Sequence, residues 1–374
     1  MTGKRDFTKI KRLIVKIGSS SLIYPTGRPK LTEIEHLVRQ LADLRNQQRE
    51  VMLVTSGAIG MGVKKLCYLR PPKTIPEKQA AAAVGQGALL NLYAKFFAEY
   101  GVTVGQVLLT REDFADRRRF LNISHTMCTL LSMGVIPIIN ENDTVAVEEI
   151  KFGDNDNLAA LVAGLADAEL LILLSDVDGL YTADPRRSAK ACFISEVKEI
   201  TPEVEQLAGG VGTGLGSGGM ATKLQAAQIA MHSGITTVLA QAREKNVIRR
   251  IIDGEKLGTV FWPTGKLENK KRWIAYNTPL QGKILVDTGA AEAISKKGKS
   301  LLPSGVLSVE GDFEIGNTVS VIDPAGKEIA RGIVNFTARE IELIKGKQTK
   351  KIPQILGHKD YEEIIHRNNL VIRK

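Results

Sequence analysis

Short apolar runs alternate with stretches of helical periodicity through the first two-thirds of the chain. The runs at 13–17 and 51–54 have the length of buried strands. Apolar residues recur three and four apart from Ile34 to Leu44, and a capping box at 32–35 is predicted to open that helix. The other predicted strands are 102–109, 135–139, 169–174 and 236–239, and the other predicted helices are 79–100, 117–133, 156–166 and 220–233.

Strand and helix follow one another repeatedly, so successive strands need helical crossovers. This order predicts a mostly parallel, open α/β sheet with helices on both faces, a three-layer αβα arrangement. Ligands of such sheets bind beyond the C-terminal ends of the strands. The loops at those ends carry unusual residues, at 18–20, 56–58, 140–143 and 175–176.

The pattern changes near Pro263, where a polar connector begins. Shorter apolar runs with Gly turns follow at 283–286, 306–309, 318–322 and 329–334, with one helix near 290–297. The sequence therefore predicts a large α/β domain at 8–262, a linker at 263–279 and a small β-rich domain at 280–368.

Composition and charge narrow the class of protein. The 374 residues are 43% hydrophobic and 25% charged, with a net charge of +10. A basic surplus attracts nucleotides, acidic metabolites or nucleic acid, although a solvated basic surface is the stronger explanation. No apolar run approaches the roughly 20 residues that span a bilayer, so we expect no membrane association.

The three cysteines, Cys67, Cys128 and Cys192, lie far apart and form no CxxC pair. This spacing argues against a disulfide framework and a thiolate metal site, and it is typical of the reducing cytoplasm. We expect the three thiols to be buried and structural. No HExxH or HxxxH pair occurs, and we predict no metal held by protein side chains.

A Gly-rich segment at 209–219 leads into a predicted helix that contains Lys223 in its first turn. Glycines let a backbone approach phosphate closely, and a helix N-terminus offers N–H groups to an anion. The segment does not fit the P-loop pattern GxxxxGK[ST]. A flexible surface linker is the alternative, and Lys223 favours the phosphate interpretation.

Lys16 interrupts an apolar strand that ends at Gly18–Ser19. A buried cation needs a partner, so Lys16 either points to solvent from an edge strand or points at phosphate. Asn and Asp are dense at 140–143 and 153–157, where they either cap turns and helices or line a polar pocket. Two lysines and an intervening acid are a credible arrangement for phosphoryl transfer.

Six ordered strings at 14–20, 54–59, 139–143, 152–158, 179–185 and 218–223 give the chain a specific resemblance. It resembles the amino acid kinase family, and within it the enzymes that phosphorylate the side-chain carboxylate of L-glutamate. The segment from about 280 to 368 is similar to PUA domains, on the strings at 282–287 and 300–306.

The resemblance implies roles for individual residues. Lys16 and Lys223 would stabilise charge on the transferred phosphoryl group, and Asp156 would position both. Glutamate would be bound by Ser56, Gly57, Ala58, Asn140, Asp143 and Asn155. ATP would be bound by Lys16, Gly18, Ser175, Asp176, Ser217, Gly218, Gly219, Met220, Ala221, Thr222 and Lys223, with Mg²⁺ on its phosphates.

The resemblance also implies a cytoplasmic enzyme of proline biosynthesis, inhibited by proline, forming a homo-oligomer (dimer or tetramer). A glutamyl phosphate reductase would consume its labile product. Two rival functions stay open. One is a kinase of another small acid or nucleotide, such as N-acetylglutamate, aspartate or UMP. The other is an RNA-binding or RNA-modifying protein that acts through the C-terminal domain.

Overall fold

The computed structural model of the chain describes residues 5–68, 70–146, 155–183, 185, 188, 190–207, 219–264, 279–357 and 361–372. Two units of the chain, Met1–Lys266 and Leu267–Lys374, make most of their contacts internally. Most of the predicted linker at 263–279 lies outside the described residues.

The strands of the first unit lie mainly in one eight-stranded sheet of order β3-β4-β2-β1-β5-β9-β10-β8. Neighbouring strands pair in parallel except β9 and β10, which are antiparallel, and β6 and β7 form a separate pair. The bounds are β1 Arg12–Ile17, β2 Glu50–Val54, β3 Val104–Leu109, β4 Ile136–Glu141, β5 Leu170–Ser175, β6 Leu180–Tyr181, β7 Phe193–Ile194, β8 Glu196–Val197, β9 Thr236–Gln241 and β10 Thr259–Phe261. The predicted mostly parallel sheet is therefore confirmed.

The helices of the first unit cover this sheet. They are α1 Ser19–Leu22, α2 Leu31–Asn46, α3 Ala58–Lys65, α4 Ile75–Ala98, α5 Arg111–Ala115, α6 Arg117–Ser132, α7 Asn155–Leu165, α8 Pro202–Leu207, α9 Met220–His232 and α10 Val247–Ile252. α2 and α4 share one buried core with alternate residues of β1, among them Leu13 and Val15. α7 packs on β1 and β5, and nearly all of it is buried.

The starts of α2 and α4 differ from the sequence prediction in an informative way. No capping box opens α2, which begins at Leu31 after Lys30. The capping box lies instead at Thr74, whose hydroxyl accepts from the backbone N–H of Glu77, and α4 begins four residues before its predicted start. The short strands β6, β7, β8 and β10 were not predicted, because two or three residues show no measurable periodicity.

The second unit contains a five-stranded sheet of order β12-β11-β13-β14-β15. Its strands are β11 Leu280–Val286, β12 Val306–Glu310, β13 Thr318–Ile322, β14 Glu328–Ile333 and β15 Leu370–Ile372. Its helices are α11 Thr288–Ser295, α12 Ala338–Ile344 and α13 Ile352–Leu356. The four predicted strands are present, whereas α12, α13 and β15 were missed.

Three further observations concern the whole described chain. The three cysteines are exposed, so the prediction of buried thiols is wrong. No described helix is long and apolar enough to cross a bilayer. Within the described ranges, no group of three His, Cys, Asp or Glu side chains is arranged to hold a metal ion.

Candidate active site

Lys16 lies in the middle of the large sheet, not at its edge. Its strand β1 pairs with β2 through Val54 and with β5 through Leu173. Side chains alternate along a strand, so Lys16 shares the face of Ile14, opposite the core that holds Leu13 and Val15. The alternative of a solvent-facing lysine is therefore wrong, since its side chain is only 5% exposed.

Asp156 is the partner that this buried cation requires. It is the second residue of α7 and is 1% exposed, and its Oδ1 atom forms an ion pair with Lys16 Nζ. Its Oδ2 atom lies 3.1 Å from Nζ of Lys223, the fourth residue of α9, whose side chain is 8% exposed. One carboxylate thus bridges two ammonium groups in an environment almost without water.

Asn155 ties this charged cluster to two strand ends. Its Nδ2 atom lies 2.6 Å from the Thr55 carbonyl oxygen, 2.8 Å from Ser56 Oγ and 2.8 Å from Asn140 Oδ1. An amide nitrogen carries two hydrogens, so three acceptors share two donors. The first turn of α7 is therefore fixed to the ends of β2 and β4.

Asn140 holds a donor that no described group satisfies. Its Oδ1 accepts from the backbone N–H of Glu141 at 2.9 Å as well as from Asn155, which sets the orientation of the amide. Its Nδ2 atom is buried and has no hydrogen-bond partner among the described residues. Leaving such a donor unsatisfied costs about 1–3 kcal/mol, which a ligand oxygen would remove.

The turn 56–58 sits between β2 and α3. Gly57 has φ +101°, and a Cβ atom there would lie 2.9 Å from Ile23 Cγ1. Both the backbone conformation and the lack of space for a side chain therefore require glycine. Ala58 is pressed against α4, because a Cβ atom on Gly85 would lie 1.7 Å from its carbonyl oxygen. Behind the turn, the Thr55 hydroxyl and the buried Tyr93 hydroxyl are 2.8 Å apart.

Those residues predicted to bind ATP that the structure describes lie at the C-terminal ends of β1 and β5 and at the start of α9. Gly18 precedes α1, and Ser175 ends β5 with its hydroxyl donating to Asp176 Oδ1 at 3.0 Å. At the start of α9 the Thr222 hydroxyl donates to the carbonyl of Gly219 at 2.8 Å, beside Met220 and Ala221. Ser217 and Gly218, with the rest of the Gly-rich segment, lie outside the described residues.

A cavity of about 230 Å³ opens beside Gln241, the residue of β9 that pairs with Ser175. Tyr181 and Phe193 line it as an edge-to-face pair with ring centroids 5.3 Å apart. The Tyr181 hydroxyl donates to Asp178, and this bond raises the pKa of the phenol. The cavity offers aromatic surface and polar groups together.

Three contributors to the site were not predicted: Asn157, Gln225 and Tyr93. Asn157 Nδ2 donates to Gln225 Oε1 at 3.2 Å and so links α7 to α9. Asn157 follows Asp156 directly, and Gln225 lies two residues after Lys223. The Oδ1 atom of Asn157 is buried without a partner among the described groups. Asn157 belongs to the 152–158 string and could have been predicted from it, whereas Tyr93 looks like any apolar helical position.

Asp143, which was predicted to bind glutamate, is half-buried two residues after β4.

Comparisons with known proteins show the family to which the chain belongs. The model of the amino acid kinase family matches residues 11–241, and that of the PUA domain matches residues 282–356. The glutamate 5-kinase of Moorella thermoacetica is 54% identical, covering 98% of this chain and 97% of its own. That of Carboxydothermus hydrogenoformans is 56% identical, covering 97% and 98%. The UMP kinase structure from Bacillus anthracis covers 69% of this chain and 98% of its own, with 16% identity and a TM-score of 0.46.

Proposed function

Since this chain belongs to the amino acid kinase family and, within it, to the glutamate 5-kinases, we propose that it phosphorylates the side-chain carboxylate of L-glutamate with ATP. A carboxylate oxygen attacks the γ-phosphorus and forms a new P–O bond. The bond from that phosphorus to the β,γ-bridging oxygen breaks, and ADP leaves with its electron pair. The products are L-glutamyl 5-phosphate and ADP, in the first step of proline biosynthesis.

The chemistry needs no general base. A glutamate side chain has a pKa near 4.3, so the nucleophile is already ionised at neutral pH and no proton has to move. What the reaction requires is positive charge on the phosphoryl oxygens and a short, in-line approach of two anions. The Lys16–Asp156–Lys223 cluster is the observation that carries the proposal.

Each member of the cluster has a distinct role. Lys16 and Lys223 stabilise the charge that spreads over the transferred group and the leaving oxygen. Asp156 holds both ammonium groups in place, so their orientation costs little when the substrates arrive. Their burial excludes water, which strengthens these interactions and protects the acyl phosphate from hydrolysis.

The glutamate site is assigned to the polar groups around Asn155. Backbone N–H groups of Gly57 and Ala58 bind a substrate carboxylate together with the Ser56 hydroxyl. The unsatisfied Nδ2 of Asn140 supports a donor role toward a substrate oxygen. Asp143 binds the ammonium group of the amino acid.

The nucleotide is assigned to the opposite half of the site. Gly18, Ser175 and Asp176 lie at strand ends, and the resemblance assigns the phosphates to the segment from Ser217 to Lys223. The aromatic cavity at Tyr181 is suited to the base. Mg²⁺ would enter on the phosphates of ATP, since oxygen-rich phosphates bind it readily.

Regulation and partners rest on the resemblance alone. We retain as proposals that proline inhibits the enzyme, that the chain forms a homodimer or homotetramer, and that a glutamyl phosphate reductase consumes the product. RNA binding by the PUA domain is a separate proposal, tested by whether RNA affinity exists and falls steeply with salt.

Hydroxylamine trapping tests the reaction, because it converts an acyl phosphate to a stable hydroxamate. The enzyme is assayed with ATP, Mg²⁺ and L-glutamate, and in parallel with L-aspartate, N-acetylglutamate and UMP. We expect hydroxamate and ADP in equal amounts when L-glutamate is the acceptor, and neither product with the other three acceptors. Turnover with another acceptor and none with glutamate would refute the assigned substrate.

A further inference from the structure

The one-turn helix α1 ends in an unusual way. The backbone N–H of Ile23 donates to the Ser19 carbonyl at 2.9 Å, as in any helical turn, but the N–H of Tyr24 turns away and donates to Arg28. The Ser20 carbonyl thus loses the partner that a longer helix would supply. The ammonium group of Lys30 takes that place, with Nζ 2.7 Å from the oxygen.

Lys30 is buried, which is costly for a cation. Only 8% of the residue is exposed, and no described carboxylate oxygen lies within 4.0 Å of its ammonium group. Its other neighbour is the Tyr24 ring, whose centroid lies 5.3 Å away. A buried ammonium with a carbonyl and an aromatic face, but no carboxylate, is costly unless it does something that a neutral side chain cannot.

Helix α1 stands between the two halves of the active site. At its start is Gly18, where a Cβ atom would lie 3.8 Å from Lys16 Nζ. Along its side, a Cβ atom on Gly57 would lie 2.9 Å from Ile23 and 3.9 Å from Ser19. The turn that follows the catalytic lysine and the turn that precedes α3 are therefore in contact through α1.

The segment after α1 is fastened on its far side as well. Ile23 and Pro29 form an antiparallel bridge, and the backbone N–H of Lys30 donates to the Leu22 carbonyl at 2.7 Å. At the tip, a Cβ atom on Gly27 would lie 2.9 Å from the Gly60 carbonyl oxygen in α3. α1 is thus held from the turn before α3 and from Lys30, whose ammonium group donates a side-chain hydrogen bond to it.

We propose that Lys30 is a positioning residue for the phosphoryl transfer proposed above. Its ammonium group closes α1, and the closed helix holds the turn after Lys16 against the turn at Gly57. The nucleotide turn and the glutamate turn then move as one body, so the γ-phosphorus and the attacking carboxylate keep a fixed separation. Loss of this bond weakens alignment in the transition state more than it weakens the binding of either substrate.

The test compares three variants of the full chain in the hydroxamate assay. Lys30→Met keeps the length of the side chain and removes the bond and the charge, and it lowers kcat roughly tenfold to hundredfold, the penalty typical of a misplaced reacting group. KM for ATP and for glutamate change much less, and the melting temperature stays within a few degrees. Lys30→Arg restores most of kcat, and Arg28→Met, which removes an exposed cation from the same segment, leaves all values unchanged.

Each other outcome counts against the proposal. A Lys30→Met enzyme with normal kcat per folded molecule and a lower melting temperature would show a purely structural role. Should that variant fail to fold, Ile23→Val trims the contact with Gly57 and must lower kcat in the same manner; normal kcat would overturn the proposal. A wild-type chain that forms no hydroxamate removes the proposed function and this inference together, whereas an active wild type beside a fully active Lys30→Met removes the inference alone.

Discussion

Replacing Asp156 by asparagine keeps the shape of the side chain and removes its charge. Two ammonium groups, Lys16 and Lys223, then share a buried space without the carboxylate that bridged them. At its separation of 3.1 Å, the Asp156–Lys223 ion pair contributes about 5 kcal/mol before desolvation is subtracted, for an effective dielectric constant near 20. Breaking such a buried pair destabilises proteins by about 3–5 kcal/mol, so we expect a loss of that size.

Catalysis should suffer separately, because both lysines lose the group that orients them. We expect kcat to fall by about 10²–10³, as when one preorganised charge-stabilising donor is removed. Saturating ATP should recover part of the lost stability, since its phosphates return negative charge to the two lysines. Hydroxamate formation gives kcat, and thermal unfolding with and without ATP gives the stability.

The matched control is Asp43→Asn on the exposed face of α2, where the carboxylate accepts a hydrogen bond from Gln47. That change should stay within about 0.5 kcal/mol of the wild type and leave kcat unaltered. Retention of kcat within threefold by Asp156→Asn, with the control behaving as expected, would show that the bridging carboxylate does not organise the lysines.

Three other changes probe neighbouring groups. Asn140→Leu should raise KM for glutamate about tenfold with ATP binding unaffected, the loss of one good hydrogen bond; an unchanged KM would contradict the donor role. Tyr93→Phe removes the buried hydroxyl behind Thr55 and should cost about 1 kcal/mol in urea unfolding. Burial raises the pKa of Tyr93, so the stability that its neutral hydroxyl contributes is complete below pH 10 and is lost as the pH rises further. The midpoint pH of alkaline unfolding should therefore be higher in Tyr93→Phe. Gln225→Met should lower kcat severalfold by loosening α9 from α7, whereas Gln228→Met, one turn on, should not.

Much of this site could be anticipated from local sequence. Lys16 is conspicuous because a charged residue in an apolar strand needs an explanation, and the Gly-rich segment marks the start of the helix that carries Lys223. Parallel-sheet topology then predicts that loops from separate strands meet at one edge. Asn140 and Asn155 meet there as expected, 2.8 Å apart.

Other features depend on contacts that no local pattern encodes. Nothing near Lys16 indicates that its strand is central, because the strand order follows from crossovers far along the chain. The role of Lys30 is hidden, since it looks like an ordinary lysine preceding a helix. The false capping box at Thr32 shows the converse: the local pattern was suitable, but the chain enters α2 from the Ile23–Pro29 bridge and Lys30 takes the capping position.

The central place of β1 also has a consequence for biosynthesis. β1 is synthesised before the other strands of its sheet, yet one of its two neighbours, β5, begins 116 residues after β2 ends, at 170 against 54. At 5–20 residues per second, the edge of β1 that pairs with β5 stays unpaired for roughly 6–23 s after β2 is complete, and unpaired strand edges are prone to aggregate. Lys16 interrupts the stretch Leu13–Ile17 with a charge, and charges of this kind act as gatekeepers against intermolecular strand pairing. The residue assigned to catalysis would thus protect the nascent chain long before the active site exists.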